Sequence, residues 1–259
     1  MIALAAWLDR QESRLRRGFE RAGFSTAWLE EFRTYLNDPR MTLEEFWCRY
    51  TLLRMQEGPK LDAVTTEAEA RAFYATSEYP LWRNLIHRRH SAWRRVLWTM
   101  RSDEGLLIEY GCGTAPVSRW VSRAKPRWTY AMIDLKGPAR DFACDYFCRR
   151  RLAIDPKREG YLYRHGAEEA DSASGIMWGR FDVAAALDVF EHLPDPVRVA
   201  RDLVGKLAPG GYLHWNFVAT DGTGLDLATS QQRAETIAYL TSALRTHYQS
   251  DDHMVSLKE

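Results

Sequence analysis

The run Leu106-Leu-Ile-Glu-Tyr-Gly-Cys-Gly-Thr-Ala-Pro116 couples an acid to two glycines that flank one residue. Glycine carries no Cβ and accepts positive φ, so a ligand can lie directly against such a turn. A helix beginning at Pro116 adds free N–H groups, and proline costs nothing in a first turn whose N–H has no partner. The carboxylate of Glu109 beside the turn disfavours a pyrophosphate and favours a hydroxyl pair or an ammonium group. The third glycine of a dinucleotide fingerprint would fall at Pro116, and no Gly-Lys-Ser/Thr closes the turn, so that fingerprint and the P-loop both fail.

Further candidates follow in order along the chain. Asp134 ends the run Tyr130-Ala-Met-Ile-Asp134, where a carboxylate can accept both hydroxyls of a ribose. Leu187 and Asp188 end the apolar run from Phe181, and His192 follows as a group that titrates near neutrality and suits a general base. Helix capping or loop bracing ahead of Pro194 is the other use of His192. Asn216 closes a later strand and could hold a substrate or form a turn.

With these residues in this order, the chain resembles the class I S-adenosylmethionine (SAM) dependent methyltransferases. Their first motif is an acid followed by G-x-G and a small residue, here Glu109-Tyr-Gly111-Cys112-Gly113-Thr-Ala115, with Ala115 where a third glycine is common. The resemblance spans about residues 106–218. It implies that Gly111, Cys112 and Gly113 approach the methionine part of SAM and that Glu109 orients the turn. It implies ribose contacts at Asp134 with Leu135 beside it, and a methyl donor bordered by Leu187 and Asp188. Leu207-Ala-Pro-Gly-Gly-Tyr-Leu213 resembles the turn before the family's fifth strand. Glu168, after a less clear third strand, is placed to meet the adenine. In the family the helix before the first strand often folds over the cofactor, which brings Arg88 to the SAM carboxylate and Tyr79 to the sulfonium. Tyr74 stands with Asn216 as a substrate residue.

Two regions must position these groups. Residues 1–100 read as helices, a lid, substrate or dimerisation region, with breaks at Asn37-Asp38-Pro39 and Gly58-Pro59. Capping boxes stand at Thr42/Glu45 and Thr66/Glu69, and a long helix runs from Pro80 to about Met100. Six of the ten tryptophans fall in this region, to pack helices or to line an aromatic pocket or homodimer seam. Residues 101–259 alternate short apolar runs with polar helical stretches, as an α/β, doubly wound, mostly parallel Rossmann-like sheet requires. The expected strands are Leu106–Tyr110, Thr129–Asp134, Tyr161–His165, Val183–Asp188 and Gly211–Val218. The expected helices cover 116–123, 140–152, 196–207 and 229–248, with a loop at 170–180. Only His253–Leu257 is left for a further strand, so the sheet is trimmed at that edge or ends in a very short strand.

Composition bounds the rest. A net charge of +1 and the absence of an Asn/Asp-Pro-Pro-aromatic motif after Asp188 argue against a nucleic-acid substrate. The four cysteines lack CxxC spacing, which fits a reduced cytoplasmic protein, and no apolar window reaches the ~20 residues of a membrane span. Residues 79–101 carry Arg83, Arg88, Arg89, Arg94, Arg95 and Arg101 with no acid. They read as an exposed face or as a positive wall for a carboxylate, a phosphate or an acidic carrier protein. The leading expectation is methyl transfer to oxygen or nitrogen of a small molecule. Transfer or cyclisation of SAM's aminocarboxypropyl arm is the alternative.

Overall fold

The computed structural model describes residues 27–86, 90–150, 180–217, 226–250 and 253–259. The chain divides into two compact units, Met1–Leu53 and Arg54–Glu259. In the first, helix α1 (Ala27–Leu36) precedes the start of α2 (Leu43–Asp62). Thr42 Oγ1 accepts the Glu45 N–H at 3.1 Å while Glu45 Oε2 accepts the Thr42 N–H at 2.6 Å, so the expected capping box opens α2. Phe32 and Phe46 meet edge to face at 5.6 Å, and Trp47 and Tyr50 at 6.0 Å. The break expected at Gly58-Pro59 does not occur. Helix α2 runs through Pro59, which lacks an N–H but still accepts one from Ala63 at 3.2 Å.

In the second unit, α3 (Glu67–Thr76), α4 (Tyr79–Ile86) and α5 (His90–Thr99) precede the sheet, so the single helix expected from Pro80 is described as two segments. Thr66 and Glu69 cap α3 reciprocally, as their spacing predicts. Then follow β1 (Leu106–Tyr110), α6 (Pro116–Ala124), β2 (Thr129–Ile133), α7 (Pro138–Arg150), β3 (Phe181–Ala186), α8 (Pro196–Lys206), β4 (Leu207–Trp215), α9 (Ser230–Ala243), β5 (Arg245–Ser250) and β6 (His253–Leu257). The strand order is β2-β1-β3-β4-β6-β5. Strands β1 to β4 pair in parallel, while β6 runs antiparallel to both of its neighbours.

Alternation along the strands loads both faces of the sheet. Leu107, Val183 and Ala185 meet α5, α6 and α7 through Val96, Val121 and Phe147. Ile108, Ala184 and Leu213 meet α8 and α9 through Leu203 and Leu240. Trp93 stacks on Trp120 at 5.6 Å and joins α5 to α6, whereas Trp98 stays exposed.

The carboxyl-terminal edge corrects the sequence reading. The helix expected to reach Tyr248 ends at Ala243, and residues 245–250 form a strand paired with His253–Leu257. The sheet therefore carries two strands at this edge. Strand β4 begins at Leu207 rather than Gly211, and its register against β3 shifts between Phe181 and Val183. The strand expected at Tyr161–His165, the loop at 170–180, Glu168 and Arg88 lie outside the described residues.

Candidate functional site

A cavity of about 460 Å³ opens at the carboxyl ends of β1, β2 and β3, where an open doubly wound sheet binds its ligands. Glu109, Gly111, Cys112, Gly113, Asp134, Leu135, Leu187, Asp188 and His192 all line it, and α3 adds Tyr74. Helices α3, α4 and α5 supply further wall residues, among them Arg71, Arg83, Asn84 and Ala92. Among the described residues no tryptophan lines this cavity.

The glycine turn is crowded from both sides. Gly111 has φ +65°, and a Cβ there would lie 2.3 Å from Val189 Cγ2. Gly113 has φ +50°, and a Cβ there would lie 2.4 Å from Asn84 Nδ2. Positive φ and close approach together demand glycine at both positions. The Cys112 N–H donates to Ile133 O at 3.0 Å, and the Gly113 N–H donates to Asp134 Oδ2, so the turn is tied to the end of β2.

Helix α6 starts without a cap of its own. Ala115 occupies the cap position at φ 49° with no side-chain acceptor, and Pro116 contributes no N–H. Glu109 supplies the cap from the neighbouring strand: its Oε1 accepts the Val117 N–H at 3.1 Å and its Oε2 accepts the Ser118 N–H at 2.7 Å. The carboxylate thereby joins β1, the glycine turn and α6. Burial pushes the Glu109 carboxyl up to about 7, against the pull of Ser118, Val117 and Arg119.

Asp134 is half-buried, and its Oδ1 accepts the Leu135 N–H at 2.7 Å. Each carboxylate oxygen keeps a lone pair after these bonds, so the group can still accept from a diol. Burial raises its carboxyl above the ordinary value, while the Gly113 and Leu135 N–H groups and Arg140 oppose that rise. Burial pushes the Tyr74 phenol up to about 12, and Asp134 adds to the rise. Burial also pushes the Cys112 thiol well up, so that side chain is a neutral wall.

The end of β3 is held in an uncommon conformation. Asp188 has φ 56°, which is uncommon outside glycine and is kept here by a constraint. Asn216 provides it: the Asp188 N–H donates to Asn216 Oδ1 at 2.6 Å, and Asn216 Nδ2 donates to Asp188 Oδ1 at 2.7 Å. Asn216 is buried and does not line the cavity, so its place is behind Asp188 rather than at the ligand wall. Tyr79 is also buried away from the wall, where its N–H donates to Ser77 Oγ at 3.1 Å.

His192 closes a short 3-10 turn, Phe190–His192, with Nδ1 3.5 Å from Asp226 Oδ1. Two bonds clamp the start of α9 and the segment before it onto this turn and the residues just after it. The Ala228 N–H donates to Glu191 O at 3.2 Å, and Gln232 Nε2 donates to Pro194 O at 2.8 Å. Sequence reasoning did not single out Asp226, Asn84 or Arg140 for this site. Each reaches it through tertiary packing, with no local spacing to mark it.

Comparison with known proteins agrees with this geometry. Residues 81–254 match a family model described as a methyltransferase domain. An uncharacterized protein of a Synechococcus species is 28% identical over 142 residues, covering 55% of this chain and 31% of that protein. A ubiquinone biosynthesis O-methyltransferase of Ralstonia nicotianae is 29% identical over 112 residues, covering 43% of this chain and 42% of that enzyme. The chain thus spans 31% to 42% of the length of these curated relatives. An O-methyltransferase family protein of Burkholderia thailandensis shares the fold with a TM-score of 0.55 at 13% identity, over 85% of this chain and 74% of that one. On the extent of the family match, the chain belongs to the methyltransferase-domain family.

Proposed function

We propose that this protein is a SAM-dependent methyltransferase acting on oxygen or nitrogen of a small-molecule acceptor. The observation that carries the reading is the glycine turn, shaped by Gly111 and Gly113 and tied to Asp134 at the wall of the cavity. The residues fit the cofactor: a wall without side chains for the methionine part, a carboxylate with spare lone pairs for the ribose, and Leu135 and Leu187 as apolar wall. Held by the glycine turn and Asp134, SAM would supply an electrophilic methyl to an acceptor oxygen or nitrogen.

The chain's own part is binding, orientation and proton removal. Glu109 fixes the turn against α6, and Asn216 fixes Asp188 at the end of β3. The walls contributed by α3, α4 and α5 limit water at the reacting groups. His192 Nε2 takes the acceptor's proton. A cavity of about 460 Å³ suits a metabolite-sized acceptor, and Arg83 on its wall favours one that carries a carboxylate or phosphate. The free thiols Cys48 and Cys112 fit a reducing compartment, and no helix among the described residues is long and apolar enough to cross a membrane.

Calorimetry with SAM tests the binding half. Asp134→Ala should weaken affinity about tenfold or more, since a charge-assisted bond to the ribose is removed. Unchanged affinity would falsify the ribose assignment. Incubation with SAM and a panel of hydroxylated and amino acceptors tests the chemistry. S-adenosylhomocysteine with a methylated product supports methyl transfer, and methylthioadenosine overturns it in favour of aminocarboxypropyl chemistry.

A further inference from the structure

Behind His192, on the side away from the cavity, stands a second ionisable group. Asp226 does not line the cavity, whereas His192 does, and the two are 3.5 Å apart through Nδ1 and Oδ1. The carboxylate is 17% exposed and the imidazole 31% exposed, so the pair is sheltered without being sealed. Three contacts fix where Asp226 stands. The Ala228 N–H bonds to Glu191 O, Gln232 Nε2 reaches Pro194 O, and Arg233 on α9 donates to Phe217 O at 3.2 Å. The segment carrying Asp226 is thereby fastened to the turn that carries His192.

We infer that Asp226 is a positioning residue, holding His192 as the Nδ1–H tautomer with Nε2 turned toward the acceptor. This rests on the reading of His192 as the group that takes the acceptor's proton. A neutral imidazole has one N–H and one lone pair, and which nitrogen carries which depends on its partners. A carboxylate facing Nδ1 can only accept, so it retains the proton there and leaves the Nε2 lone pair for the substrate. After transfer, the same carboxylate faces an imidazolium and stabilises it. A separation of 3.5 Å is long for a hydrogen bond and shortens readily in a substrate complex.

Other charged groups stand nearby. Arg233 lies near Asp226 and favours its ionised form, as His192 does, against a rise caused by burial. Asp188 and Glu191 line the same stretch of cavity. Asp226 Oδ1 stands 3.5 Å from Nδ1, so its removal tests the orientation.

The experiment is imidazole NMR on the full chain with uniform nitrogen-15 labelling, His192→Gln serving to assign the resonances. Wild type, Asp226→Asn and Asp226→Glu are titrated with and without SAM. Nitrogen shifts of wild type should report Nδ1 protonated in the neutral ring. Asp226→Asn should move the His192 midpoint to lower pH by about half a unit and mix the tautomers, because the carboxylate's charge is lost and its shape kept. Asp226→Glu should restore the direction of both effects. A midpoint and tautomer unchanged in Asp226→Asn would overturn the inference. Calorimetric SAM binding keeps the two readings separable. Binding without the NMR change sinks the pairing alone, and the NMR change without binding leaves the pairing standing and sinks the methyltransferase reading.

Discussion

Replacing Glu109 by Gln should remove one contribution to this protein's pH dependence. Glu109 is 4% exposed, and both of its oxygens accept N–H groups at the start of α6. Two effects compete there. Helix N–H donors and the helix dipole favour the anion, while burial favours the neutral acid. Burial wins, since the carboxyl is pushed from 4.5 up to about 7. That displacement corresponds to roughly 3 kcal/mol of preference for the protonated form in the fold. A raised folded value means that the unfolded chain releases this proton first as pH rises. The group's contribution is therefore fully present below 4.5 and is lost as pH rises through about 7.

Glutamine keeps one carbonyl acceptor for α6 and does not titrate. Urea unfolding of wild type and Glu109→Gln from about pH 4.5 to about pH 8 isolates the effect, because every other titrating group cancels in the difference. The difference should move in favour of glutamine by about 3 kcal/mol across that range and level off above pH 7. A flat difference would refute the burial argument. A difference that moves in favour of glutamate would show that the N–H donors and dipole outweigh desolvation.

Three further perturbations probe the frame around the site. His214 and His253 are buried, with His214 Nε2 2.8 Å from Thr99 Oγ1 and Nδ1 3.0 Å from His253 Nε2. Burial, then His253 and Arg95, hold the His214 imidazole well below 6.5, so its contribution is present above 6.5 and lost as pH falls; His214→Phe should show a shallower loss of stability on acidification in urea titrations. Gly137→Ala places a Cβ 1.9 Å from the Tyr74 carbonyl oxygen and should cost about 2–3 kcal/mol as α3 is displaced, read as a lower thermal midpoint together with weaker SAM binding. Asn216→Ala removes both hydrogen bonds that hold Asp188 at φ 56° and should cost about 1–3 kcal/mol in urea unfolding, with Asn216→Ser recovering part of it.

What the residues disclosed follows the range of the forces involved. Strand β1 was legible to the residue, because an apolar run between Gly105 and Gly111 leaves little choice of limits. The glycine turn was legible because its demand for positive φ is local. Strand β3 was expected to reach Asp188, yet it stops at Ala186 because Asn216 draws Asp188 out of the extended region. Strand β5 was read as helix: Arg245-Thr-His-Tyr-Gln-Ser250 is polar and mostly exposed on both faces, so it shows no alternation. The pairing that makes it a strand lies in β6. In the site, Asp134 and His192 were marked by their place after strands. Asn84 and Asp226 were not, because helix and loop packing delivers them from far along the chain.

The antiparallel hairpin at the sheet edge bears on how synthesis and folding are timed. Strand β6 is wedged between β4 and β5, and its end is fastened inward. The Gly210 N–H bonds to Lys258 O at 2.7 Å, and Lys258 Nζ meets the carbonyls of Val204 and Leu207 at 2.6 and 2.7 Å. Strands β1 to β4, with the glycine turn and the cavity wall they carry, leave the ribosome earlier than this wedge does. Until residues 253–258 emerge, β4 presents an unpaired apolar edge, the kind of surface that recruits neighbouring strands. A chain stalled before that point would hold most of its cavity-lining residues and still be an aggregation-prone intermediate.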